Sequence, residues 1–356
     1  MRTALFSAVV IAVLVCAAER TRAAAGAPPC VTATAPCTEW VTLGGGPSRS
    51  MIYRTYALDA RNDAIRRAFV LVHGANRNAD HYFSTATAAA FLGGALDDTI
   101  VISPKFTACQ DKLEANEIQW SCNGDSWRSG GTSPTHAELT SFDFMDEILR
   151  RLAKKTTFPN LRTIVVAGHS AGGQFVTRYE VANRVHDTLG VPVSYVVANP
   201  SSYAWPAASR PLPVDDAAPD KAKGAWETEM PHSAFSYGPF AGAGSCPNYD
   251  RWPAGMQNRS AGYTAKTTED QLTKQLVSRP TTYLLGQVDT LPLGGFDSSC
   301  SAMAQGATRR ARGEAFAKYV NEQLGAKHAI QIVSECGHND RCIYTTDAVF
   351  PVIFPK

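Results

Sequence analysis

Gly168-His169-Ser170-Ala171-Gly172 sets a serine between two glycines at the spacing G-x-S-x-G, and its surroundings say what that serine could do. Ahead of it runs the apolar stretch Ile164-Val165-Val166-Ala167; after it, Phe175, Val176 and Tyr179 recur as on one face of a helix. A chain that leaves a strand and enters a helix within one residue holds that residue on a sharp turn, and small neighbours two positions away on either side let the flanking segments pass closely. Ser170 is therefore the candidate nucleophile. A hydroxyl attacks poorly at neutral pH unless a base takes its proton and an acid orients the base. Of the eight histidines, His338 is best placed for that work, in the loop Cys336-Gly337-His338-Asn339-Asp340-Arg341-Cys342, which follows the last strand-like run and which two cysteines could close into a ring. His169 is too near Ser170 in sequence to turn onto it, and His73 sits at the end of an earlier strand. His81, His136, His186, His232 and His328 lie in helices or loops with no such context. For the acid, Asp289 follows Tyr283-Leu284-Leu285-Gly286-Gln287-Val288 at the end of the penultimate strand. Asp297 is the alternative, while Asp340 reads as a solvated loop carboxylate.

These residues need a scaffold, and the 356-residue chain, 44% apolar, is long enough to bury a large core. Short runs rich in Val, Ile and Tyr predict buried strands at Met51–Tyr56, Ala68–Val72, Thr99–Ile102, Arg162–Ala167, Val193–Ala198, Thr281–Leu285 and Ala329–Val333. Between several of them lie helical patterns. In the clearest, Leu139, Phe142, Met145, Ile148, Leu149 and Leu152 share one stripe, with Glu147, Arg150, Arg151 and Lys154 away from it. Another covers about Thr308–Leu324, with Ala311, Ala315, Phe316, Val320 and Leu324 turned inward. This alternation predicts an α/β fold with a mostly parallel sheet covered by helices on both faces. Two long stretches, Pro104–Thr135 and Asn199–Gly262, lack periodicity and are rich in Pro, Gly, Ser and Trp; irregular segments of that length tend to build a site or a lid. No internal repeat or low-complexity linker appears, so residues 26–356 are expected to form one domain, with 199–262 as a lid or cap insertion.

Residues 1–25 read as a secretory signal peptide: Arg2, then the apolar Ala4–Val15, then Ala23-Ala24-Ala25 as a small-residue cleavage site. The apolar run ends at Glu19-Arg20, short of the roughly 20 residues that span a bilayer, so no membrane anchor is expected after cleavage. Cleavage removes Arg2, Glu19, Arg20 and Arg22 and with them the formal charge of +2, so nothing points to nucleic acid as a partner. Eight cysteines remain, an even number that suits an oxidising, secreted or periplasmic location. Closeness in sequence favours pairing Cys30 with Cys37, Cys109 with Cys122 and Cys336 with Cys342, which leaves Cys246 for Cys300. No C-x₂-C pair or cysteine-histidine cluster has metal-ligand spacing, so no metal and no organic cofactor is expected.

The order Ser170, Asp289, His338, with the Gly168-His169-Ser170-Ala171-Gly172-Gly173 turn, resembles the serine esterases of the α/β-hydrolase fold from about Met51 onward. The strand and His-Gly turn in Ala68-Phe69-Val70-Leu71-Val72-His73-Gly74-Ala75 resemble the segment that supplies half of that family's oxyanion hole. By this resemblance the backbone N–H groups of Ala75 and Ala171 would face the oxyanion. Together the two turns are also similar to those of secreted polyhydroxyalkanoate depolymerases and feruloyl esterases. The resemblance implies a Ser-His-Asp triad that cleaves a small or polymeric carboxylic ester through an acyl-enzyme. The segment Asn199–Gly262 matches no lid of the family.

Aromatic residues of the irregular segments, Trp120, Trp127, Tyr203, Trp205 and Tyr237, are candidates to line the cleft. Asn199, Ser201 and Tyr203, just past a strand end, are the favoured wall, because sites in open α/β sheets form beyond the carboxyl ends of strands. Two alternatives stay open: a serine peptidase or other acyl-transfer enzyme on the same fold, and a non-catalytic relative that only binds. Acyl chain length, polymer preference and oligomeric state are not legible.

Overall fold

The computed structural model describes residues 28–122, 126–213, 235–259 and 261–356. The expected signal peptide, His232 and residues 214–234 of the expected cap lie outside the described residues. The strands are β1 (Thr38–Thr42), β2 (Arg49–Arg54), β3 (Arg67–Val72), β4 (Thr99–Pro104), β5 (Thr163–His169), β6 (Val193–Ala198), β7 (Ser209–Pro213), β8 (Phe235–Pro239), β9 (Thr281–Gly286) and β10 (Ala329–Val333). The helices are α1 (Ala79–Leu92), α2 (Ser141–Leu152), α3 (Ala171–Ala182), α4 (Glu269–Ser278), α5 (Cys300–Met303), α6 (Arg309–Leu324), α7 (Asp340–Tyr344) and α8 (Phe350–Ile353).

Eight strands form one sheet in the order β1-β2-β4-β3-β5-β6-β9-β10, and from β4 onward every pairing is parallel. The chain steps from β3 out to β4, then returns across β3 to β5. Loops leaving β3 and β5 therefore part in opposite directions and open a crevice at their carboxyl ends. All seven predicted strand runs are strands, with every end within two residues of the expected one. Unanticipated are β1, antiparallel to β2, and the separate antiparallel pair of β7 and β8.

The helices form where propensity and caps agree. Thr140 and Asp143 make a reciprocal capping box at the start of α2, whose apolar stripe, Phe142, Met145, Ile148, Leu149 and Leu152, is fully buried. Against the other sheet face lies α1, in which the small Ala86, Ala89 and Ala90 are buried. Gly325, with φ +75°, ends α6 in the left-handed conformation that glycine adopts without strain.

The described parts of both long irregular segments pack into the body of the fold. Trp120 stacks on Phe144 at 5.6 Å and Trp127 on Phe106 at 5.2 Å, inside the core shared with α2 and α3. Trp205 lies 5.5 Å from Phe316 and 5.2 Å from Tyr319, and Tyr237 of β8 donates to the carbonyl of Ala315 at 2.9 Å, so the described parts of 199–262 are fastened along α6. Disulfides join Cys30 to Cys37, Cys109 to Cys122, Cys246 to Cys300 and Cys336 to Cys342. No described helix is long and apolar enough to cross a membrane.

One buried group makes stability depend on pH. Glu180, on α3, has no exposed surface, and desolvation pushes its carboxyl from the ordinary 4.5 up to about 8 against the lowering influence of Thr281 and Arg279. The guanidinium of Arg279 instead donates to the backbone carbonyls of Glu180 and Asn183. With the folded value raised above the unfolded one, this group's contribution is complete below about pH 4.5 and is lost, at about 1.4 kcal/mol per pH unit, as the pH rises toward 8. Glu180→Gln is expected to melt higher than wild type at about pH 8 and to lose that advantage at about pH 5, as read by thermal denaturation. An equal difference at both pH values would refute the assignment.

Candidate active site

Ser170 stands between the last residue of β5 and the first of α3, with φ +59° and ψ −120°. A non-glycine residue holds such a conformation only when its surroundings impose it. They do so by close packing: a Cβ on Gly172 would lie 2.2 Å from the carbonyl oxygen of Val72, and one on Gly168 would lie 2.2 Å from that of Gly172. The two glycines of the pentapeptide are thus what let α3 press down on the end of β3.

Three sequentially distant side chains meet at this turn. His338 places Nε2 2.8 Å from Ser170 Oγ and Nδ1 2.8 Å from Asp289 Oδ2. Asp289 is 2% exposed, in the turn after β9. His338 is only 12% exposed, and its loop is closed by the Cys336–Cys342 disulfide. An imidazole bridged in this way carries its proton on Nδ1 and can accept another on Nε2. The alternative acid, Asp297, is elsewhere, accepting from the Ser299 backbone N–H at 3.0 Å. Asp340 is not the solvated carboxylate expected: it is buried, accepts from the Thr85 hydroxyl at 2.7 Å and pairs with His81 at 3.0 Å, which ties α7, just past His338, to α1.

Beside the serine, the turn after β3 brings Gly74 so close that a Cβ there would lie 3.8 Å from Ser170 Cβ. His73 fixes this turn. Its Nε2 accepts from the Phe106 N–H at 3.0 Å and its Nδ1 faces the Gly74 carbonyl at 2.9 Å, which assigns one neutral tautomer; burial lowers its pKa from 6.5 to about 4. Ala75 follows on the surface, and Ala171, almost fully buried, is the first residue of α3, where a backbone N–H has no acceptor within its own helix.

The residues expected to line a substrate wall are placed differently. Trp120, Trp127 and Tyr203 have no exposed surface, Tyr203 stacking on Phe316 with ring centroids 4.5 Å apart. They are core, because large aromatics in an irregular segment bury their area wherever the sheet's helices leave room. Asn199, also fully buried and at φ +44°, accepts from the Gly286 N–H at 2.8 Å and donates to the Gly337 carbonyl at 3.2 Å. One amide thereby staples the strand that leads to Asp289 to the loop that carries His338. Ser201 is buried and accepts from Arg309 Nε at 2.8 Å.

Two neighbours of Ser170, Asp289 and His338 were not singled out from sequence. His169, buried and with its pKa pushed well below 6.5 by desolvation, lies with its ring centroid 4.6 Å from that of His338, and its Nδ1 is 3.1 Å from the Tyr82 hydroxyl. Arg309, fully buried, reaches Asp289 Oδ1 at 3.5 Å. A signal for it existed. The first turn of α6 carries Arg309, Arg310 and Arg312 and no acidic residue, a charge pattern that the helix dipole disfavours and that buried carboxylates outside the helix can offset.

Residues 69–350 match the model of the Alpha/beta hydrolase family. No curated protein matches by sequence. Among solved structures, poly(aspartic acid) hydrolase-1 from Sphingomonas sp. KT-1 is similar at 21% identity over 89% of this chain and 97% of that one, with a TM-score of 0.58. A poly(3-hydroxybutyrate) depolymerase from Bordetella parapertussis is similar at 19% identity over 88% and 86% of the two chains, with a TM-score of 0.56. At these identities the likeness is one of fold.

Proposed function

The chain belongs to the alpha/beta hydrolase family, and from that premise we propose that it cleaves carboxylic esters through an acyl-enzyme on Ser170. The observation that carries the proposal is the unbroken line from Ser170 Oγ to His338 to Asp289, with 2.8 Å at each step. In the proposed reaction Ser170 Oγ attacks the ester carbonyl carbon as His338 Nε2 takes its proton. Asp289 stabilises the imidazolium through Nδ1–H. The tetrahedral oxyanion lies against the N–H groups of Ala75 and Ala171, a kind of donor whose removal slows such reactions about 10²- to 10³-fold. Collapse expels the alcohol, protonated by His338, and water then attacks the acyl-enzyme with the same histidine as base. Exposed residues near the pair include the apolar Ala75 and, next to the Gly294 that abuts His338 Cδ2, Leu293, which is 61% exposed, beside the polar Asn76 and Asn339.

The four disulfides support a secreted or periplasmic site of action after loss of residues 1–25. We read residues 26–356 as one hydrolase domain in which 199–262 is an insertion whose described parts pack on α6.

The test is hydrolysis of p-nitrophenyl acetate and butyrate by the oxidised protein, beside a peptide p-nitroanilide and poly(aspartic acid), together with labelling by a fluorophosphonate. Ester turnover with the label mapped to Ser170 is the expected result. Cleavage of the peptide or the polyanion without ester turnover would replace the ester reading with amide hydrolysis by the same serine.

A further inference from the structure

We infer that Arg309 is a positioning residue of the triad, which fixes the orientation of Asp289 and holds the 290–297 loop against His338. The inference rests on the triad reading above. Arg309, in the first turn of α6, has no exposed surface and spends its donors on four acceptors: Ser201 Oγ at 2.8 Å, Asp289 Oδ1 at 3.5 Å, and the carbonyls of Leu293 at 2.7 Å and Gly294 at 2.9 Å. The last two belong to the loop that leaves Asp289 and returns across the imidazole, where a Cβ on Gly294 would lie 3.2 Å from His338 Cδ2. One planar fork therefore grips the acid on the oxygen that His338 does not use and grips the backbone beside His338. A lysine, with one point of charge, cannot reach all four.

The geometry has an electrostatic consequence. A buried cation beside Asp289 offsets part of the carboxylate's field at the imidazole. The other charged and titratable groups around His338 are the neutral His169 on the elbow, Arg312 and Asp297 near the start of α6, and the His81–Asp340 pair between α1 and α7. Arg309 is the cation that touches Asp289 itself, at 3.5 Å.

The experiment is the pH profile of kcat/KM for p-nitrophenyl butyrate in wild type, Arg309→Met, Arg309→Lys and Ser201→Ala, with Ser170→Ala as reference. In Arg309→Met the rate is expected to fall at least about tenfold and the acidic limb to move up by on the order of one pH unit. Arg309→Lys keeps the charge, so its limb stays near that of wild type while kcat falls with little change in KM, because the loop and the acid lose the fork. Ser201→Ala removes one acceptor only and is expected to leave the limb in place with a smaller loss of kcat. A purely structural role predicts lower activity with an unmoved limb in Arg309→Met, and that outcome overturns the inference; so does full activity in Arg309→Lys, the arm that decides if the Met variant does not fold. A Ser170→Ala variant as active as wild type would sink the triad reading instead.

Discussion

Ser170→Ala is expected to lower kcat/KM for p-nitrophenyl butyrate by about 10⁴-fold or more, while the protein stays folded. The two halves of that expectation come from different parts of the structure. Activity falls because Oγ is the atom 2.8 Å from His338 Nε2, and alanine leaves no atom there to attack the acyl carbon. Folding survives because the strained φ of +59° is imposed by the contacts of Gly168 and Gly172 with backbone carbonyls, none of which involves the hydroxyl. Alanine tolerates that conformation no worse than serine. His338, once unpaired at Nε2, is partly exposed and can hydrogen-bond to water. Rate and thermal midpoint measured on one preparation separate the two. A residual activity within about tenfold of wild type, with an unchanged midpoint, would remove Ser170 from the mechanism.

Short-range rules act on backbone geometry, and what they govern was legible. Glycines two residues either side of Ser170, between an apolar run and a helical pattern, imply a strand-to-helix reversal, and β5 and α3 meet there. The parallel sheet was legible because buried strands such as β5 and β6 are short continuous apolar runs. Less legible was the direction in which irregular segments face. Trp120 and Trp127 come from a stretch with no period, so nothing local says whether a ring points to solvent or to Phe106 and Phe144; only the packing of α2 and α3 decides. Arg309 was missed for the opposite reason. A run of arginines opening a helix reads as a solvated turn, and its burial follows from carboxylates and carbonyls that lie far away in sequence or in loops. Asp340 shows the same blindness, since Thr85 and His81, which satisfy it, sit on α1. Weak edge pairing explains β7 and β8: Pro211, Pro213 and Pro239 depress strand propensity, and fastening along α6 compensates.

The acid is where sequence reading left a choice, and Asp289→Asn against Asp297→Asn decides it with a large contrast. Asp289 divides its oxygens, Oδ2 to His338 Nδ1 and Oδ1 to Arg309. An asparagine in its place must turn its carbonyl to the guanidinium, since two donors cannot face each other in a site with 2% exposure. Its NH₂ then points at Nδ1, which becomes an acceptor, and the ring proton moves to Nε2. In that tautomer His338 donates toward Ser170 instead of accepting, so general-base catalysis stops with every atom almost in place. The expected loss in kcat is about 10⁴-fold at neutral pH. Arg309 also loses its counter-charge, and breaking one side of a buried pair costs about 3–5 kcal/mol, so the melting point should fall as well. Asp297→Asn keeps an oxygen that can accept from the Ser299 N–H and touches neither His338 nor Ser170, so its rate should stay within about threefold of wild type. If the Asp297 variant were the dead one and the Asp289 variant active, the acid would be misassigned. Equal, modest losses in both would mean that His338 works without a fixed carboxylate partner, a result the 2.8 Å contact does not allow for.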